Sequence, residues 1–269
     1  MKLRIVPAGA GANWVKLGIR TFFRQPLALS GLFILFMAAM SLASLIPFVG
    51  AALALALLPA ATLGFMAGTR EAVRGNFPMP AILVSAFRAG QQQMRAMWVL
   101  GALYAAGFLL VMGVSALFDG GQFAKLYLVG GTVTREIAEQ PDFQIAMLVA
   151  VGLYLPLSLL FWHAPALVHW HAVPPVKSLF FSIVACFRNF GAYMVYGLVW
   201  GGVFLAAGVC VTLLGVALGG AALASILMVP TALLMAAMFF TSVYFTYLDS
   251  FEETLDPSAP PSGGVLPPA

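Results

Sequence analysis

The residues best suited to chemistry are three histidines in one short stretch, His163, His169 and His171. Imidazole is the commonest metal ligand and the side chain that titrates nearest neutral pH. A metal needs ligands that converge on one point. On a helix, residues two or six apart point to different faces, so convergence requires the helix to unwind before Pro174-Pro175, or a ligand from elsewhere. Trp162 and Trp170 stand beside the histidines, and aromatic side chains of this kind collect at a membrane–water interface. The histidines therefore read as interfacial anchors, with His163 a candidate wall of a polar cavity. No metal site and no cofactor are expected.

The carboxylates form two groups. Glu136 and Glu139 are three apart and could share a helix face; such pairs bind cations or do acid–base work. No motif frames them, and they read as a solvated loop. Asp249, Glu252 and Glu253 form the second group, with Arg24, Arg88 or Arg188 as candidate partners. The two cysteines, Cys186 and Cys210, have no zinc spacing and read as small apolar side chains. No serine–histidine–aspartate arrangement, phosphate loop or metalloprotease helix motif is present. No catalytic residue is assigned, and the chain is not expected to be an enzyme.

The elements that must position these residues are set by composition. Of 269 residues, 62% are hydrophobic and only 8% are charged, against about 25% charged in a soluble domain. Such a chain cannot cover its own surface in water, and a bilayer is the solvent that fits. A membrane helix takes about 20 apolar residues. Six segments meet that length, at about 26–45, 49–68, 96–117, 143–171, 191–218 and 221–247. Ile46-Pro47-Phe48 and Gly219-Gly220 make tight turns, and 118–142 is an outer loop. The predicted fold is all-α and membrane-integral, one domain over 1–252 followed by a Pro-rich tail, 253–269, expected to be disordered. Of the thirteen Lys and Arg, all but Lys125 and Arg135 lie on one side of these spans, which predicts that both termini are cytoplasmic.

One unit recurs. Val84-Ser85-Ala86-Phe87-Arg88 returns as Val184-Ala185-Cys186-Phe187-Arg188, with a shorter echo at Phe22-Phe23-Arg24. Each copy lies on an amphipathic stretch that runs into an apolar segment. In the first, Val15, Ile19, Phe22 and Phe23 oppose Lys16, Arg20 and Arg24; in the second, Leu83, Phe87, Gly90, Met94 and Met97 share a face; in the third, Phe180, Phe187 and Phe190 oppose Ser178, Ser182, Ala185 and Asn189. Helices of this pattern lie in the headgroup layer, where Lys16, Arg20, Arg24, Arg88 and Arg188 would meet lipid phosphate. The predicted plan is three parallel repeats, about 12–75, 79–173 and 175–250, each an interfacial helix plus a helical hairpin. Each hairpin carries one proline, Pro59, Pro165 or Pro230, which frees a carbonyl one turn earlier, that of Leu55, Phe161 or Ile226. Placed around a common axis these would line a pocket; otherwise they shape the bundle. Gly197, Gly201, Gly208 and Gly215 lie along one stripe, as in a helix-packing seam within the bundle or between subunits.

The run Ala164-Pro165-Ala166-Leu167-Val168, the segment Ser182 to Asn189, and Tyr244, Tyr247, Asp249 and Phe251 carry a resemblance. Over most of residues 10–252 the chain resembles an uncharacterised family of proteobacterial six-span inner-membrane proteins. It is similar, more distantly, to the membrane domain of some glycerophosphodiester phosphodiesterases. The resemblance implies a bacterial inner-membrane location and no activity, since the catalytic phosphodiesterase domain is absent.

The expected role is non-enzymatic: organising anionic membrane lipids, or a membrane-protein partner, at the cytoplasmic face. Nucleic acid is not an expected partner. A transporter or channel for a small or lipidic solute is the alternative. An enzyme at the membrane surface would need His163, His169 and the acidic end of the last span to converge.

Overall fold

The computed structural model describes residues 2–47 and 49–252. Glu253 and the tail expected to be disordered lie outside the described residues, as does the side chain of Glu252. The elements are β1 (Lys2–Leu3), α1 (Ala10–Arg24), α2 (Pro26–Ser44), α3 (Gly50–Val73), a 3-10 helix (Pro80–Phe87), α4 (Gln91–Asp119), α5 (Gln122–Val129), α6 (Arg135–Ala138), α7 (Pro141–Phe161), α8 (Ala164–His171), α9 (Pro175–Arg188), α10 (Phe190–Ser250) and β2 (Phe251–Glu252).

Among the described residues, five stretches are long and apolar enough to cross a membrane: α2, α3, α4, the run 141–171 that joins α7 to α8, and α10. The last has 61 residues, which would reach about 90 Å if straight, at about 1.5 Å per residue. It is not straight. Gly220 has φ 79 and ψ −172, a conformation open to glycine and closed to most other residues. The chain reverses there, so α10 is two limbs, 190–219 and 221–250, lying side by side. Tyr196 and Trp200 of the first limb both reach the Ser242 hydroxyl of the second, at 2.7 and 3.1 Å. Nearer the turn, Gly215 meets Ala224.

The hairpins share a base. Lys2 and Leu3 pair antiparallel with Glu252 and Phe251. Asn189 fastens the N-terminal segment to the start of α10: its Oδ1 accepts from the Val6 amide at 2.9 Å, and its Nδ2 donates to the Arg4 carbonyl at 3.0 Å. The fully buried large side chains gather towards this base, among them Trp14, Phe22, Leu63, Met66, Met97, Leu100, Leu167 and His163. At the far tips the long helices keep large apolar side chains uncovered, such as Leu117, Leu205, Leu213 and Leu218. Bare leucine is costly in water and not in hydrocarbon.

The three amphipathic stretches fold in three different ways. The first is α1, whose apolar face meets protein: Trp14, Val15 and Phe22 are buried, and the helix packs along α10. The second is not one helix. Gly90, at φ +110, separates the 3-10 helix from α4, so Leu83 and Phe87 do not share a helical face with Met94 and Met97. The third, α9, turns its small polar face inward. Ser178, Ser182, Ala185, Cys186 and Asn189 are buried while Phe180, Phe187 and Phe190 are exposed.

The fourth predicted segment also differs. Residues 143–171 read as one helix, yet α7 stops at Phe161 and α8 starts at Ala164. Ser182 of α9 causes and satisfies the break. In an unbroken helix the His163 amide would donate to the Leu159 carbonyl. Here it donates to Ser182 Oγ at 2.9 Å, and that hydroxyl donates onward to Leu159 at 2.8 Å. A side chain inserted into the ladder bends a helix in this way. Pro165 sits in the first turn of α8, where its missing N–H costs nothing.

Candidate functional site

At the base, the turn after α3 and the 3-10 helix form a depression of about 530 Å³ against α8, lined by Glu71, Phe77, Met79, Ser85, Arg88 and His169 among others. The turn is rigid for local reasons. Glu71 accepts from Arg74 at 3.1 Å and from the Asn76 amide group at 2.8 Å, and Gly75 reverses the chain at φ +84. Beside the depression, the Arg70 guanidinium lies 5.4 Å from the centre of the Trp170 ring, a cation–π contact. Phe77 and Met79 are 61% and 65% exposed, next to exposed Arg88. Bare apolar side chains and a guanidinium at one rim suit the boundary between acyl chains and phosphates.

The other expected headgroup contacts lie on the base elements. Lys16, Arg20 and Arg24 occupy the exposed face of α1, with Phe23 beside Arg24. Arg188 ends α9 beside exposed Phe187.

The histidines do not converge. His163 is fully buried rather than interfacial. Its Nε2 lies 2.8 Å from the Tyr193 hydroxyl and 3.3 Å from Thr246 Oγ1, and Thr246 also accepts from the Trp162 indole at 3.0 Å. The bend made by Ser182 is what turns His163 into the core. His171 meets the Tyr247 hydroxyl at 2.7 Å, and His169 faces the depression. Asp249 accepts from the Trp14 indole at 2.7 Å, a partner that charge pairing alone did not suggest. Among the described residues, no group of three His, Cys, Asp or Glu is placed to hold a metal ion. Glu136 and Glu139 stay on the far loop, where Glu139 pairs with Arg135 at 2.6 Å.

A second concavity lies inside the bundle. It has about 190 Å³ and is walled by α2, α3, α4, α7 and the second limb of α10, with Pro59, Tyr104, Phe161, Trp162, Phe239 and Phe240 prominent. Its polar groups are engaged with protein: Thr62 donates to the Leu58 carbonyl, Ser158 to Leu155, the Trp162 indole to Thr246, and the Tyr104 and Tyr154 hydroxyls meet each other at 3.4 Å.

A probable inner membrane protein of Burkholderia thailandensis is 41% identical over 263 residues, which cover 97% of each chain. The chain belongs to the family of that protein. No family model matches it, and no solved structure does; the more distant likeness to phosphodiesterase membrane domains gains no support. With that relative and its own apolar helices, the chain is an inner-membrane protein.

In this family member the proline and glycine expectations need correction. Of the three prolines, Pro59 lines the internal cavity, Pro165 is buried at the start of α8, and Pro230 is exposed on the outer part of α10. They share no pocket, and the reversal in α10 falls at Gly220, where the glycine pair was expected to turn the chain. Between α7 and α8 the Leu159 carbonyl also loses its helical donor and accepts from the Ser182 hydroxyl instead. Among the described residues, Gly197, Gly201 and Gly208 have nothing within 4 Å of where a Cβ would stand, so they make no seam with the described bundle; Gly215 alone of the four is packed, against Ala224. The close approaches are made by other glycines. A Cβ on Gly11 would lie 2.1 Å from the Ala192 carbonyl oxygen, and one on Gly18 would lie 2.3 Å from Ser242 Cβ. Both glycines were visible on the buried face of α1, seven residues apart, but their partners lie at the other end of the chain. Cys186 is buried on α9, and burial pushes its thiol up to about 12.

Proposed function

We propose that this inner-membrane protein is a non-enzymatic organiser of anionic lipid at the cytoplasmic face. In this reading α10 crosses the bilayer twice, giving six crossings in three parallel hairpins, and the base with both termini faces the cytoplasm. The observation that carries the reading is the pairing of exposed apolar and cationic side chains around one end: Phe23 with Arg24, Phe187 with Arg188, and Phe77 and Met79 with Arg88. Each pair offers a ring or thioether to the acyl boundary and a guanidinium to phosphate. The excess of Lys and Arg at that end supports the orientation. A membrane-protein partner at the same rim is compatible with it.

The test replaces Arg24, Arg88 and Arg188 with Gln together and compares lipids retained in native mass spectrometry of the gently purified protein. Near an anionic surface each charge contributes about 1 kcal/mol, so retained phosphatidylglycerol should fall by a factor of about ten or more while insertion is unchanged. Equal retention by the variant overturns the reading. Passage of a lipidic solute is a second reading, and the internal cavity is what favours it.

A further inference from the structure

We propose that the cavity between α3, α4, α7 and α10 holds an acyl chain of a membrane phospholipid, entering sideways from the bilayer. Three observations lead there. First, the cavity has a side opening. α3 packs along α4 and α10, and α4 along α7, but α7 and α10 hardly meet. Their facing residues are the half-exposed ones of the wall: Tyr154 and Ser158 on α7, Phe239 and Phe240 on α10. A gap between two apolar helices in a membrane opens onto hydrocarbon.

Second, the wall gives water little to hold. Water in a protein cavity needs 2–4 polar partners. The hydroxyls of Thr62 and Ser158 already donate to carbonyls of their own helices, and the Trp162 indole donates to Thr246. The Tyr104 and Tyr154 hydroxyls share one hydrogen bond, which leaves a single phenolic proton for the whole space. The remaining surface is Phe36, Leu58, Phe65, Phe161, Phe239 and Phe240.

Third, the size fits a chain segment rather than a headgroup. An apolar cavity of about 150 Å³ stays dry and takes a guest the size of benzene, and this one has about 190 Å³. Pro59 makes the room. It denies the Leu55 carbonyl its usual donor and stands in the wall itself. Among the described residues no side chain fills the space, while the surrounding solvent is made of flexible chains of the right cross-section.

The inference rests on the proposed function only in placing the chain in a bilayer; it does not need the arginines. The full chain is reconstituted in vesicles of phosphatidylethanolamine and phosphatidylglycerol that carry a phospholipid with a diazirine in its acyl chain. After irradiation, adducts are mapped by mass spectrometry. Adducts are expected at Thr62, Ser158 and Val243 in the cavity, as well as at freely exposed Leu205 and Leu213. Filling the space with Ala61→Phe, or from the other wall with Ser158→Phe, should lower the remaining cavity adducts by about tenfold relative to Leu205 and Leu213. Absence of cavity adducts in the unmodified protein overturns the proposal outright. So do undiminished adducts in a filled variant whose Leu205 and Leu213 labelling is normal. The Arg24, Arg88 and Arg188 variant should keep its cavity adducts, so failure of the headgroup reading and failure of this one give different patterns.

Discussion

The inward and outward faces of this molecule's helices are made from similar residues and behave differently. On the inward side, two glycines of α1 bring backbones together, Gly11 against Ala192 and Gly18 against Ser242. On the outward side of the first limb of α10, Gly197, Gly201 and Gly208 touch nothing among the described residues, although Gly197 and Gly201 directly follow Tyr196 and Trp200. Aromatic residues divide in the same way. Trp14, Tyr196 and Trp200 are buried and hydrogen-bonded, whereas Phe204 and Phe118 are exposed. Small and aromatic residues therefore do not by themselves say where helices touch. In water, burial of apolar surface would force such faces closed. In a bilayer that force is absent, so only faces with shape complementarity and polar partners close.

The largest effect should come from the base. Trp14→Ala removes a fully buried indole and leaves Asp249 without its 2.7 Å donor; such truncations cost about 3–5 kcal/mol. Thermal unfolding in detergent should show the loss, and a melting temperature unchanged from the parent would contradict the account of the base. Smaller, and a direct test of the contrast, are two alanines. Gly18→Ala should destabilise by about 1–3 kcal/mol through overpacking, because the new methyl meets Ser242 at 2.3 Å. Gly201→Ala has nothing within 4 Å and should be neutral, or stabilising by up to about 1 kcal/mol from helix propensity. If the two behave alike in the same melts, the contrast between inward and outward faces is broken. The smallest effect is chemical. Burial on the base side of α9 pushes the Cys186 thiol up to about 12, against about 8.5 for a free thiol. A Cys210→Ser protein should resist maleimide through pH 9 and react only as the pH approaches 12 or the fold opens. Rapid labelling at pH 8 would place Cys186 outside the core.

Much of the helical content is legible in apolar run length, and the chain reversal at Gly219-Gly220 falls where the glycines announce it. What is not legible depends on residues far apart in sequence. Pro165 stands two residues beyond His163 and can end a helix or kink it, but the bend is also held by a serine hydroxyl nineteen residues away. The amphipathic face of α1 is evident, but an apolar stripe fits lipid and protein equally well; only the match of Gly11 and Gly18 to α10 decides for protein. The same limit explains the histidines. His163 lies where an interfacial anchor would lie by counting, and the bend carries it inward to Tyr193 and Thr246.

The docking of α1 has a consequence for how the protein is made. Its partners Ala192, Tyr193, Tyr196, Ser242 and Asp249 lie far downstream, so they are synthesised after α2, α3, α4 and α7. Until then α1 lacks most of its protein surface, since its packing on α2 and α3 is slight beside its packing on α10. An amphipathic helix with a basic outer face is well suited to wait in the headgroup layer. α1 is thus made before the helix that houses it, and the pairing of residues 2–3 with 251–252 joins segments made at widely separated times.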